Sequence, residues 1–135
     1  MSPELLYPAR FSRTNNNPTM RSDCYALGMM IYEVLSGQAP FSTYSNPEVV
    51  CMVLEGKRPE KPQGDEGRLF TEEIWGVLGL CWKQQPGERP SAKRILRSLE
   101  GDMSLQSPET DEDMETGTDE EQDAPENKSG AFPSP

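Results

Sequence analysis

One run constrains this chain more than any other: Asp23-Cys24-Tyr25-Ala26-Leu27-Gly28-Met29-Met30-Ile31-Tyr32-Glu33-Val34-Leu35. From Cys24 to Leu35 the only charged residue is Glu33, and apolar side chains fall at every angle around a 3.6-residue wheel. A helix that is apolar on all sides needs full enclosure, in a core or in a membrane. About a dozen residues cannot cross a hydrocarbon core, which takes roughly 20. The run is therefore expected to be a buried central helix. Ser22 and Asp23 offer side-chain oxygens to the free amides of its first turn. Gly37 can take the left-handed conformation that ends a helix, and Pro40 cannot continue one. A secretory signal is the rival reading, because Arg10, Arg13 and Arg21 precede the run. It fits poorly: the preceding segment is too long, Glu33 interrupts the run, and no clean small-x-small cleavage site follows.

At 135 residues there is room for one domain. Residues 101–135 hold eleven acids and one base, Lys128, and so carry the whole net charge of −10. Residues 1–100 hold twelve acids and twelve bases and are neutral. A neutral body gives no support to a nucleic-acid partner. Cys24, Cys51 and Cys81 each lie in an apolar run, with no histidine anywhere and no close cysteine pair. That excludes the usual metal-ligand spacings and predicts three buried, reduced thiols in an intracellular, cytoplasmic protein with no metal and no membrane anchor.

In chain order, Ser2 to Tyr7 read as one helical turn, with Ser2 capping, Pro3 at the first position and Glu4 near the positive end. Residues 9–21 lack periodicity, contain Asn15-Asn16-Asn17-Pro18, and read as a surface loop. Phe41 is expected to anchor the connector after the central helix. A second helix spans Pro47–Glu55, capped by Asn46 and ended by Gly56; its wide apolar face (Val49, Val50, Met52, Val53) packs on the central helix or meets a partner protein. Residues 57–70 read as a loop. Thr71 opens a third helix on which Ile74, Val77, Leu78 and Cys81 share one face, flanked by Trp75 and Trp82. Ser91 caps a fourth, with Ile95, Leu96 and Leu99 inward and Lys93, Arg94 and Arg97 outward. From Gly101 on there is too little to bury to offset ordering entropy, which predicts disorder. The chain is thus expected to be all-α over residues 1–100, with a disordered acidic tail over 101–135.

Three of these segments resemble, in order, motifs in the last part of the large lobe of a eukaryotic protein kinase. Ser2-Pro3-Glu4 resembles the family's Ala-Pro-Glu. Ser22-Asp23-Cys24-Tyr25-Ala26-Leu27-Gly28 resembles Ser-Asp-Val-Tyr-Ser-Phe-Gly at the start of its central helix. Cys81-Trp82, Pro86 and Arg89-Pro90-Ser91 resemble the Cys-Trp…Pro…Arg-Pro-Ser run of the tyrosine-kinase-like and tyrosine-kinase groups. The resemblance implies a short motif helix, a buried central helix and three further helices. It implies an ion pair between Glu4 and Arg89, whose bidentate geometry would pin the chain start to the last helix pair. It also implies scaffold roles for Asp23, Gly28 and Trp82, Asp23 matching a residue that accepts backbone amides of the catalytic loop.

The Gly-rich loop, strand Lys, His-Arg-Asp base and Asp-Phe-Gly metal ligand of the family lie N-terminal to the Ala-Pro-Glu motif, and none occurs here. No residue can therefore be assigned a catalytic, ATP-binding or Mg²⁺-binding role. Kinases of this group often carry an internal Met where Met1 stands, so the chain reads as a truncated piece of a tyrosine-kinase-like Ser/Thr kinase, inactive alone. Leaving roughly 400 Å² of the central helix uncovered would forgo about 10 kcal/mol at ~25 cal/mol per Å². Folded domains hold only about 5–15 kcal/mol in total, so a loosely packed body is expected. The alternative is a non-catalytic interaction module, binding through the Pro47–Glu55 helix or the acidic tail. In that tail Thr110 and Thr118 precede acids, and Ser107 precedes a proline, as in kinase target sites.

Overall fold

The computed structural model describes residues 1–101, and these form an all-helical body with no strand among them. Helix α1 is Pro3–Leu6, α2 Met20–Ser36, α3 Asn46–Leu54, α4 Glu72–Cys81 and α5 Ala92–Leu99. The tail's expected disorder and its Ser107, Thr110 and Thr118 lie outside the described residues.

Helix α2 is the axis, packed chiefly on α4, while α1 lies against α3 and α5 against α4. The buried core is Cys24, Tyr25, Val53, Phe70, Val77, Leu78, Cys81, Trp82 and Ile95. Aromatic edges bind it together: Trp75 meets Trp82 at 5.9 Å and 87°, and Phe70 meets Trp75 at 5.8 Å and 86°. Such perpendicular pairs set the positive ring edge on a negative face. No described helix is long and apolar enough to cross a membrane.

Several local expectations are corrected. Helix α2 starts three residues before Asp23, because Thr19 is the cap. Its side chain accepts from the Ser22 amide, and the Ser22 hydroxyl accepts from the Thr19 amide at 2.7 Å. This reciprocal pair satisfies two donors that Asp23 cannot reach from inside the helix. The far end is as expected, with Gly37 at φ 70° closing on the Glu33 carbonyl. Helix α3 is capped by Ser45, not Asn46, because the Glu48 carboxylate accepts from both the Ser45 amide and its hydroxyl. Ser2 takes the cap position of α1 without a side-chain cap bond. Residues 9–21 are not wholly irregular, since Pro8–Phe11 form a 3₁₀ turn.

Helix α2 is not enclosed on every side. Cys24, Tyr25 and Gly28 are buried, but Ala26, Met30 and Val34 form an exposed stripe with Asp23, and Val34 is 72% exposed. Apolar residues at every angle permit burial without supplying the neighbours. On α5 Ile95 is buried and Lys93 exposed as expected, but Leu96 and Leu99 are exposed and Arg94 is buried beside Ile95. Cys51 is also exposed, so two of the three thiols are buried. Cys24 and Cys81 lie together between α2 and α4, where their mutual hydrogen bond and burial push the Cys81 thiol up in pKa.

Candidate functional site

Pro3 fixes the first turn of α1, and that turn points Glu4 into the body rather than along its own axis. Arg89 ends the 3₁₀ turn Pro86–Glu88 in an extended conformation, which projects its side chain back under α1. The two meet across 85 residues: Arg89 Nη1 donates to Glu4 Oε1 at 2.7 Å, and Nη2 to Oε2 at 2.8 Å. Both side chains are fully buried. Arg89 also donates through Nε to the Lys83 carbonyl at 2.9 Å and through Nη1 to the Arg21 carbonyl at 2.9 Å. Arg21 returns a bond to the Arg89 carbonyl. One guanidinium thus joins α1, the start of α2 and the chain after α4.

Burial alone would raise the Glu4 carboxyl; the Arg89 bonds, a backbone amide and the guanidinium charge outweigh it and hold the group below its ordinary 4.5. A carboxyl depressed in the folded state contributes stability that is present above the unfolded value and is lost as pH falls through the folded one. The Glu4 contribution to the thermal midpoint should therefore not change with pH near neutrality, and should be lost on acidification below about pH 4.5. Glu4→Gln should remove that part of the acid slope, measured by circular-dichroism melts. Equal slopes in the two proteins would contradict this assignment.

Two residues that the sequence reading did not single out complete the network. Tyr25 is buried with the Arg89 guanidinium 5.0 Å from its ring centre and that of Arg58 at 5.2 Å. Arg58 donates to the carbonyls of Trp82 at 2.8 Å and Lys57 at 2.8 Å, and to Gln84 Oε1. It therefore latches the end of α3 to the end of α4. A charged residue between Lys57 and Pro59 looks like solvated loop in the sequence; its neighbouring Tyr25 and Gln84 are far away in the chain.

Of the remaining residues, Gly28 is where α2 touches α4. A Cβ there would lie 2.7 Å from Trp82 Nε1 and 2.9 Å from Cys81 Cβ. Trp82 is 4% exposed and caps the end of α4. Asp23 is exposed at the start of the uncovered α2 stripe, apart from the Glu4–Arg89 pair. The arrangement is one of support. Among the described residues no group of three His, Cys, Asp or Glu is placed to hold a metal ion. With no Gly-x-Gly loop in the sequence either, these residues do not fit an ATP–Mg²⁺ site.

The description "protein tyrosine and serine/threonine kinase" fits residues 1–99. The chain is 37% identical over 100 residues to protein sevenless of Drosophila melanogaster, which covers 73% of this chain and 3% of that protein. It is 41% identical over 81 residues to a light-sensor protein kinase of Ceratodon purpureus, 59% of this chain and 6% of the relative. It is 34% identical over 99 residues to the megakaryocyte-associated tyrosine-protein kinase of Mus musculus, 73% of this chain and 17% of the relative. The chain thus spans only a small part of the length of the curated relatives it matches.

Proposed function

The chain belongs to the protein tyrosine and serine/threonine kinase family, and we propose that residues 2–100 are the closing part of the large lobe of a tyrosine-kinase-like Ser/Thr kinase. The observation that carries this is the buried Glu4–Arg89 pair. It ties the Ser-Pro-Glu segment to the Arg-Pro-Ser segment, as the lobe resemblance requires. On this reading the segment supplies a rigid base, with Asp23, Gly28 and Trp82 as supporting residues and no catalytic group. Transfer of the ATP γ-phosphoryl to a protein hydroxyl needs a Gly-rich loop, a strand Lys, a His-Arg-Asp base and an Asp-Phe-Gly metal ligand. That reaction therefore belongs to a polypeptide that also carries them, and the 135 residues alone are inactive. The reduced thiols Cys24 and Cys81 suit an intracellular, cytoplasmic setting.

The purified chain, given ATP and Mg²⁺ with peptides bearing Ser, Thr and Tyr, should transfer no phosphate above a protein-free blank; sustained transfer would overturn the assignment. Mapping the 5′ end of the native transcript should show an in-frame extension through His-Arg-Asp and Asp-Phe-Gly. In the extended protein, transfer to Ser or Thr is expected, and transfer to Tyr alone would move it to the tyrosine-kinase group. A transcript that starts at Met1 would favour the second reading, a non-catalytic interaction module. The exposed Val50 of α3 and the exposed Met30 and Val34 of α2 support that reading, with α3 or the acidic tail as the contact.

A further inference from the structure

The seam between α2 and α4 holds two thiols that the Glu4–Arg89 network does not use. Cys24 and Gly28 stand one turn apart on α2, and residues at that spacing are neighbours on one helix face. A Cβ at Gly28 would lie 2.9 Å from the Cys81 Cβ, so Cys81 sits against the face that carries Cys24. The two thiols are hydrogen-bonded to each other, both belong to the buried core, and neither is in a disulfide. A disulfide sets its two Cβ atoms about 3.5–4.5 Å apart, and thiols in mutual hydrogen-bond contact are a short movement from that arrangement. Cys81 belongs to the Cys-Trp motif, but Cys24 stands where the resembled run has Val. The pair is therefore a feature of this chain rather than of the motif.

We propose that Cys24 and Cys81 form a redox latch, which joins α2 to α4 by a disulfide when a small-molecule disulfide such as oxidised glutathione is in excess. One cysteine thiolate attacks a glutathione sulfur; the S–S bond of glutathione breaks and the first glutathione thiolate leaves. The second cysteine thiolate attacks the protein sulfur of the mixed disulfide and expels the second glutathione. The protein gives up two electrons to glutathione, and the two thiol protons end on the two glutathione thiolates. The closed seam resists this chemistry. Cys24 is 5% exposed and Cys81 0%, and the attacking species is the thiolate, whereas the hydrogen bond and burial keep the Cys81 thiol protonated. The latch is therefore set when α2 and α4 part locally. Once formed, it closes a long loop and restricts the unfolded chain. None of this depends on the kinase reading.

The test uses the full chain, reduced and then held in oxidised glutathione, with mass mapping of peptides under non-reducing conditions. Exposed Cys51 should take up glutathione first. A Cys24–Cys81 cross-link should follow more slowly, and urea just below the unfolding midpoint should speed it about tenfold by opening the seam. The cross-linked chain should unfold about 1 M higher in urea. Cys24→Val keeps an apolar side chain in the core, so it should fold and show neither the cross-link nor the rise. Four results would each overturn the proposal: glutathione adducts on Cys24 or Cys81 with no cross-link between them, cross-links that join Cys51 instead, a cross-linked chain no more resistant to urea, or a rise in Cys24→Val as large as the parent's.

Discussion

Arg89→Ala is expected to leave the body largely unfolded at room temperature. Removing one partner of a buried ion pair costs about 3–5 kcal/mol, because the other charge stays behind without compensation. A domain's whole stability is only about 5–15 kcal/mol. Here the loss goes beyond the carboxylate. The carbonyls of Lys83 and Arg21 each lose a bond as well, and with them the links from Arg89 to the start of α2 and to the chain after α4. Far-ultraviolet dichroism and urea unfolding would show the midpoint collapsing. Replacing both partners, as in Glu4→Met with Arg89→Met, should recover much of the loss, since well-packed apolar pairs can match a buried salt bridge. Recovery should remain incomplete because the links from Arg89 to the Lys83 and Arg21 carbonyls stay broken. A single-variant midpoint equal to the parent's would mean that α1 is not held through Arg89.

The same pair shows what the sequence could tell. Glu4 and Arg89 could be matched because the motif resemblance connects residues 85 apart, a distance no periodicity can span. Caps with a single plausible side chain, Thr71 and Ser91, fall where expected. Where two candidates compete, the first turn decides, as Thr19 over Asp23 and Ser45 over Asn46 show. Burial was the least legible property. A wheel apolar at every angle says that α2 could be enclosed, but enclosure depends on which elements lie beside it, so Met30 and Val34 stay exposed. On α5 an eight-residue stretch that mixes three cations with Ile95, Leu96 and Leu99 has two acceptable faces, and Ile95 brings Arg94 inward with it. Arg58 was unreadable for a related reason. Its carbonyl partner on Trp82 and its stacking partner Tyr25 come together only after α2, α3 and α4 have packed.

Helices α2 and α4 approach closely at Gly28, and Gly28→Val is the second substitution expected to be severe. Helix propensity alone argues the other way, because glycine inside a helix is about 1 kcal/mol worse than alanine. The first added carbon would lie 2.7 Å from Trp82 Nε1, 2.9 Å from Cys81 Cβ and 3.1 Å from Trp82 Cδ1. The Trp82 ring cannot swing away freely, since Trp75 and Tyr32 flank it at 5.9 and 6.1 Å. Overpacking of this kind costs about 1–3 kcal/mol or more, so Gly28→Ala should be net destabilising and Gly28→Val clearly worse. The cause can be separated from a general intolerance of α2. Trp82 Nε1 has no hydrogen-bond partner among the described residues, so Trp82→Phe removes the obstructing edge without breaking a bond. In a double-mutant cycle with Gly28→Ala, the two losses should be less than additive, a favourable coupling of about 0.5–3 kcal/mol. Strict additivity in urea midpoints would place the cost of Gly28→Ala elsewhere than at Trp82, and α2 would then meet α4 less closely than this fold requires.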